Sequence, residues 1–188
     1  MDNKIKIFVL VGKSASGKDT LAKALCSEND LNMCVSSTSR PIRVNEVQGV
    51  DYNFLTTEEF IAKINDNQLI EYRTYNTVFN SVQDTWYYGT EVSAIKNNAV
   101  LVLDVQGLKE LKEKLTNVKI ISFYLYCDDN VRKFRAKSRG SFCSEEWDRR
   151  LKDDELKFKD ALHEVDFAIN VSYLSIQQIL EMLKKLIN

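Results

Sequence analysis

Residues 11–20 read VGKSASGKDT, and their types and spacing suit one task, the grip of a phosphate chain. Gly12, Gly17 and Lys18 fit the pattern G-x-x-x-x-G-K-[ST]. The two glycines let the backbone turn tightly and bring several N–H groups toward one anion. Lys18 adds a point charge for the outer phosphates of a nucleotide. The next position ordinarily carries a hydroxyl that holds magnesium, but here it is Asp19. An ordinary glycine turn is the plainer reading. It does not account for a lysine directly after the second glycine.

The loop chemistry needs a strand before it and a helix after it, and the flanking sequence predicts both. Residues 5–11, IKIFVLV, form a nearly continuous apolar run that suits a parallel strand buried on both faces. Behind the loop, Leu21, Ala22 and Leu25 stand at helical spacing. Further buried-strand runs are predicted at 99–105, 118–126 and 166–170, separated by helical patterns, with a helix after Gly107 and an amphipathic one at the C-terminal end. The middle differs. DYNFL at 51–55, LIEYRTYNTVF at 69–79 and VQDTWYYG at 82–89 are rich in aromatic and β-branched residues and predict antiparallel strands. Thr56 or Thr57, followed by acidic residues, marks a helix start between them. This region, about 36–90, reads as an inserted lobe. Residues 132–158 read as helical and dense in charge, with a fresh helix start at Ser144.

Composition sets the outer bounds. The 188 residues imply one domain with small inserted lobes, large enough to bury a core without staples. A net charge of -1 gives no global basic field, so no nucleic-acid partner is expected. Cys26, Cys34, Cys127 and Cys143 show no C-x-x-C pairing, and the single His163 cannot complete a zinc set. They are expected to be core thiols in a reducing, cytoplasmic setting. No signal peptide, membrane span, disordered linker or internal repeat is expected.

Beyond the loop, residues 36–54, SSTSRPIRVNEVQGVDYNF, resemble the acceptor site of guanylate kinases. IEY at 70–72, YYGT at 87–90, LDVQG at 103–107, the arginines between 135 and 150, and AIN at 168–170 continue the resemblance in order over nearly the whole chain. It implies an α/β fold: a parallel-sheet phosphate-loop core (1–35, 91–131, 159–188), a small mixed β/α lobe that binds the nucleoside monophosphate (36–90) and a helical lid (132–158). It also implies transfer of a phosphoryl group from ATP to GMP or dGMP with magnesium. ATP would be held by Gly12, Ser14, Ser16, Gly17, Lys18, Asp19, Thr20 and Asn170, with Asp19 on the magnesium directly or through water. Arg40 and Arg43 would fork onto the acceptor phosphate. Tyr52 and Tyr88 would add hydroxyls to it. Glu71 would read guanine, because one carboxylate can accept both N1–H and the N2 amine whereas adenine meets it with a lone pair. Ser36, Thr90 and Asp104 would complete the guanine contacts. Arg135, Arg139 and Arg150 match the lid that covers the donor phosphates, catalytic together with Lys18. Arg132, Lys133 and Arg149 read as a solvated helix face. Asn170 reads equally well as a strand-end cap. Small nucleotides would be the only partners, and the chain a monomer or weak homodimer.

Three features depart from the resemblance. Asp19 replaces the loop hydroxyl. Val102 stands where an acid is common, two places before Asp104. Fifteen residues separate Glu71 from Tyr87, enough for a longer hairpin over the acceptor site with Asn80 and Ser81 at its turn. Asp19 is read as standing in for the missing carboxylate at 102, against the simpler idea that it stabilises a helix N-terminus. Two other functions stay open at this point: a related kinase for another small phosphate acceptor, or a non-catalytic interaction module.

Overall fold

The computed structural model describes residues 5–28, 30–79, 82–138 and 142–187. In chain order the elements are β1 (Lys6–Val11), α1 (Lys18–Glu28), β2 (Asn32–Met33), β3 (Ser37–Thr38), β4 (Asn53–Phe54), α2 (Thr57–Asn65), β5 (Leu69–Phe79), β6 (Val82–Glu91), β7 (Ala99–Leu103), α3 (Val105–Lys114), β8 (Lys119–Tyr126), α4 (Asp129–Lys137), α5 (Ser144–Lys157), α6 (Ala161–Glu164), β9 (Phe167–Asn170) and α7 (Ile176–Ile187).

β1 lies at the centre of a five-stranded parallel sheet ordered β2-β7-β1-β8-β9. Its unbroken apolar run follows from burial on both faces. Alternate residues supply two cores: Phe8 and Leu10 pack with Leu21 and Leu25 of α1 and with Ile179 and Leu183 of α7. Ile7, Val9 and Val11 pack with Leu108 and Leu111 of α3. β1 therefore delivers the glycine loop to the carboxyl end of a rigid sheet, the edge where parallel sheets place their ligands.

A second, four-stranded sheet, ordered β4-β3-β6-β5, forms from the middle of the chain. The antiparallel expectation is right for β5 and β6 and wrong for β4, which pairs with β3 in parallel. The two-residue β3 and β4 are joined by the long 39–52 excursion, which lets the chain return in the same direction. The β5–β6 ladder matches Glu71 with Thr90, Arg73 with Tyr88 and Tyr75 with Trp86, and runs on to Phe79 opposite Val82. The expected turn at Asn80 and Ser81 lies outside the described residues. α2 opens on the predicted capping box: Thr56 accepts from the Glu59 N–H, and Glu59 accepts from the Thr56 N–H. Its fully buried Phe60 lies 5.5 Å from the Tyr87 ring and braces β6 from behind.

Two boundaries differ from expectation. β7 ends at Leu103, and α3 begins at Val105 instead of after Gly107. The cause is Asp104, whose carboxylate takes the Gly107 N–H at 2.7 Å and caps the helix. Gly107 thus sits inside the helix, where a Cβ would stand 3.2 Å from Asp104 Oδ1 and 3.4 Å from Glu71 Oε2. The cysteines also divide. Cys34 is buried and Cys26 and Cys127 half-buried, but Cys143 is exposed at the start of α5, so it is not a core thiol.

Candidate active site

The glycine loop leaves β1 and enters α1 at Lys18. At Gly12 a Cβ would lie 2.7 Å from the Leu125 carbonyl and 2.7 Å from Ser16 Oγ, so only glycine lets the loop sit this close to β8. Gly17 holds φ at +100°, and Ala15, a non-glycine, holds φ at +58°. The latter is costly for an L residue and persists where its neighbours over-determine it. Here the neighbour is the Ser14 backbone. Its N–H donates to Asp154 Oδ2 at 3.0 Å, and its carbonyl accepts from Arg132 Nη1 at 2.9 Å. Arg132 and Asp154 are themselves paired at 2.7 Å, and Asp129 and the Trp147 ring enclose the guanidinium further. Arg132 is 0% exposed, which overturns its reading as a solvated helix residue. Burial is possible because four hydrogen bonds to three acceptors, and an aromatic face, replace its water. Lys133, one residue on, is exposed as expected.

Lys18 Nζ donates to the Lys13 carbonyl at 3.1 Å and so lies across the mouth of the loop. Ser16 Oγ is buried without a hydrogen-bond partner among the described residues. An unsatisfied buried hydroxyl inside a glycine loop is a polar demand that a phosphate oxygen can meet. Arg135 braces the other side, donating to the Ser16 carbonyl at 2.9 Å and the Val171 carbonyl at 2.8 Å. With Gly17, Thr20, Leu125, Phe134 and Ile176 it lines a largely apolar cavity of about 300 Å³. Asn170 accepts from the Ser172 N–H at 3.0 Å, the strand-end turn that the sequence left open.

From the loop a cleft of about 350 Å³ runs to the second sheet, lined by Lys18 and Asp19 at one end and by Ser36, Tyr52, Glu71, Tyr88 and Asp104 at the other. Glu71 is 6% exposed and accepts from Thr90 Oγ1 at 2.7 Å, leaving Oε2 without a hydrogen bond among the described residues. Burial raises its pKa above the ordinary carboxylate value, against the pull of Thr90 and Arg73. Tyr52 is pushed up to about 12 by burial and by Asp19 nearby, and Tyr88 is raised by burial. Both phenols are therefore protonated donors at neutral pH.

The two arginines of the 39–52 excursion part company. Arg40 is 4% exposed, and its fork is closed on Glu46 at 2.7 and 2.6 Å, with the Tyr52 and Phe54 rings beside it. Arg43 is exposed and faces Ser14, Tyr88 and Arg150 across a second cavity, of about 480 Å³. Arg139 lies outside the described residues.

A guanylate kinase family model matches residues 4–188. The guanylate kinase of Clostridium perfringens is 34% identical over 179 residues, covering 92% of this chain and 76% of that one. The chain belongs to the guanylate kinase family. The guanylate kinase of Mycoplasmoides gallisepticum is 33% identical and covers 100% of this chain and 94% of its own. The crystal structure of guanylate kinase from Anaplasma phagocytophilum superposes with a TM-score of 0.70 at 21% identity, covering 100% of this chain and 87% of that one. It bears out the α/β fold.

Within that family frame, four residues of the site were missed in the sequence. Glu46 lies inside the acceptor motif and was passed over as loop. Arg73 lines the cleft and pairs with Asp104 at 3.4 Å and Glu110 at 3.1 Å, so Asp104 is committed to Arg73 and to capping α3. Its signal was available, two residues after Glu71 on the same face of a strand. Arg132 and Asp154, 22 residues apart, gave no local signal.

The buried pair yields a prediction that separates stability from loop seating. R132M leaves Asp154 buried and unpaired and costs about 3–5 kcal/mol in urea unfolding. The double variant R132M/D154A recovers most of that stability, because neither charge remains, yet it still raises the KM for ATP, because the Ser14 N–H and carbonyl have both lost their partners.

Proposed function

We propose that this protein transfers the terminal phosphoryl group of ATP to GMP or dGMP, giving ADP and GDP or dGDP. The observation that carries this is the continuous cleft between the glycine loop and the buried Glu71 carboxylate. On this reading the chain works as a core, an acceptor lobe at 36–90 and a lid at 132–158, in the cytoplasm.

In the reaction, an acceptor phosphate oxygen forms a bond to the γ-phosphorus of ATP while the bond from that phosphorus to the β,γ-bridging oxygen breaks. The acceptor oxygen is already anionic, so no general base is required. Positioning and electrostatics carry the rate. The loop amides, Ser16 Oγ and Lys18 hold the donor phosphates, and Phe134 and Ile176 flank the space for its base. Arg43, Tyr52 and Tyr88 hold the acceptor phosphate. Arg40, closed on Glu46, shapes the excursion that carries Arg43. Glu71 accepts the N1–H and N2 amine of guanine, oriented by Thr90. Arg150 meets the charge that develops on the transferring group, and Arg139 joins it from the lid.

Among the described residues no group of three or more histidine, cysteine or acidic side chains is arranged around a metal. Magnesium does not require one, since it keeps several waters and takes one or two carboxylates beside the substrate phosphates. Asp19, exposed in the cleft that Val102 also lines, fits that need. Magnesium bound there would neutralise charge on the phosphates. Asp19 would hold it directly or through water.

Three outcomes follow. With ATP and magnesium, a coupled assay over a panel of monophosphates yields ADP with GMP and dGMP and none above background with AMP, CMP or UMP; silence with GMP and dGMP rejects the proposal. Because Glu71 can accept both guanine donors only when ionised and burial raises its pKa, kcat/KM for GMP falls on the acid side at a pH above the ordinary 4.5. E71Q removes that limb along with most of the preference for GMP. Finally, D19S loses activity at limiting magnesium and V102D in the same chain restores it. Failure of V102D to restore anything assigns Asp19 to the helix N-terminus alone.

A further inference from the structure

The long β5–β6 hairpin reaches the lid. Along β5, Glu71, Arg73 and Tyr75 fall on one face, opposite Thr90, Tyr88 and Trp86 of β6. One face therefore carries the base-reading carboxylate, then the acceptor-phosphate hydroxyl, and beyond them two aromatic rings 6.2 Å apart. Both rings stand in the fifteen-residue stretch between Glu71 and Tyr87.

Tyr75 meets α5 through three contacts. Its hydroxyl donates to Glu146 Oε1 at 3.0 Å and accepts from Arg149 Nη2 at 2.8 Å. The Arg149 guanidinium lies 4.7 Å above its ring. Arg149 is thus engaged with the hairpin, more than the solvated lid residue the sequence suggested. The same Oε1 of Glu146 accepts from Arg150 Nε at 2.6 Å. Among the described residues Arg150 uses Nε alone, which leaves its terminal nitrogens for an anion. Tyr75, Trp86, Glu146 and Arg150 line the same cavity as Arg43 and Tyr88. Glu146 is held ionised, at about 2, by Arg149 and Arg150.

We propose that Tyr75 and Glu146 are positioning residues for Arg150: the extended hairpin docks on the lid and aims the guanidinium at the transferring phosphoryl group. The inference rests on the kinase reading above. Stability is not what the contact provides. Glu146 and Arg149 are 33% and 45% exposed, and pairs so placed contribute little to folding. What the contact fixes is direction. A guanidinium bonded through Nε is planar and presents its remaining fork along one axis. Acceptor binding at Tyr88 and placement of Arg150 are then linked through one hairpin, so an occupied acceptor site favours a lid that is ready for transfer.

The test is a cycle of kcat for GMP in wild type, Y75F, R150M and the double variant. Y75F keeps the ring and leaves the melting temperature in place. It lowers kcat by about tenfold in the wild-type background and by less than about twofold in R150M, the non-additivity of residues that act through one another. E146Q behaves like Y75F. A separate readout needs no turnover: the 15Nε–H signal of Arg150 is protected from solvent exchange in wild type and exchange-broadened in Y75F. An equal loss of kcat in both backgrounds, an unchanged kcat in Y75F, or an Arg150 signal that Y75F does not alter overturns the proposal. Wild-type protein that forms no GDP overturns the kinase reading together with it, whereas an active enzyme with additive variants overturns this proposal alone.

Discussion

Everything else in this structure depends on how the backbone of one residue, Ser14, is seated. The glycine loop must present its N–H groups to an anion while passing through a left-handed alanine at 15. That conformation is unfavourable in isolation. It is held because the Ser14 N–H and carbonyl are each bonded to a buried, mutually paired side chain from the helices that follow β8. The loop therefore does not wait for a nucleotide to shape it. A preformed cradle spares a ligand the ordering cost it would otherwise bear. The same pair fixes the base of α5, the helix that carries Arg149 and Arg150. Loop and lid share one anchor.

The acceptor side follows a different logic. Glu71 is nearly dry, so any ligand group that faces it must donate hydrogen bonds or leave a buried carboxylate unmet. Selectivity then comes from the cost of mismatch more than from added attraction. Gly89 and Gly107 serve this arrangement by absence. A Cβ at Gly89 would stand 2.7 Å from the Glu71 carbonyl, and one at Gly107 would crowd both Glu71 and Asp104. Arg73 adds a positive charge beside the two carboxylates, which eases their mutual repulsion and holds Asp104 at the start of α3.

What the chain disclosed in advance was whatever is encoded locally. The apolar run of β1, the glycine spacing, the Thr56–Glu59 box and the aromatic-rich strands all announce themselves within a few residues. The order of motifs placed Glu71, Tyr88 and Asp104 around one cleft, as the structure does. What stayed hidden was long-range pairing. Arg132 looked like a surface charge because its partner lies 22 residues on and its target 118 residues back. Arg40 looked free because nothing in its spacing to Glu46 says that the excursion folds back on itself. β4 looked antiparallel because strand type is visible in composition while direction is set by the path between strands. The hairpin extension was legible as extra length. Its contact with the lid was not, since Tyr75 and Glu146 are 71 residues apart.

The central claim is that the cleft between Glu71 and the loop is a guanine nucleotide site. Calorimetric titration of wild-type protein with GMP, IMP and AMP addresses it most directly, because the three differ in what they offer a buried carboxylate. The account predicts that GMP binds, that IMP, which lacks the N2 amine, binds more weakly by about tenfold or more, and that AMP gives no measurable heat. Equal affinity for GMP and AMP would contradict it.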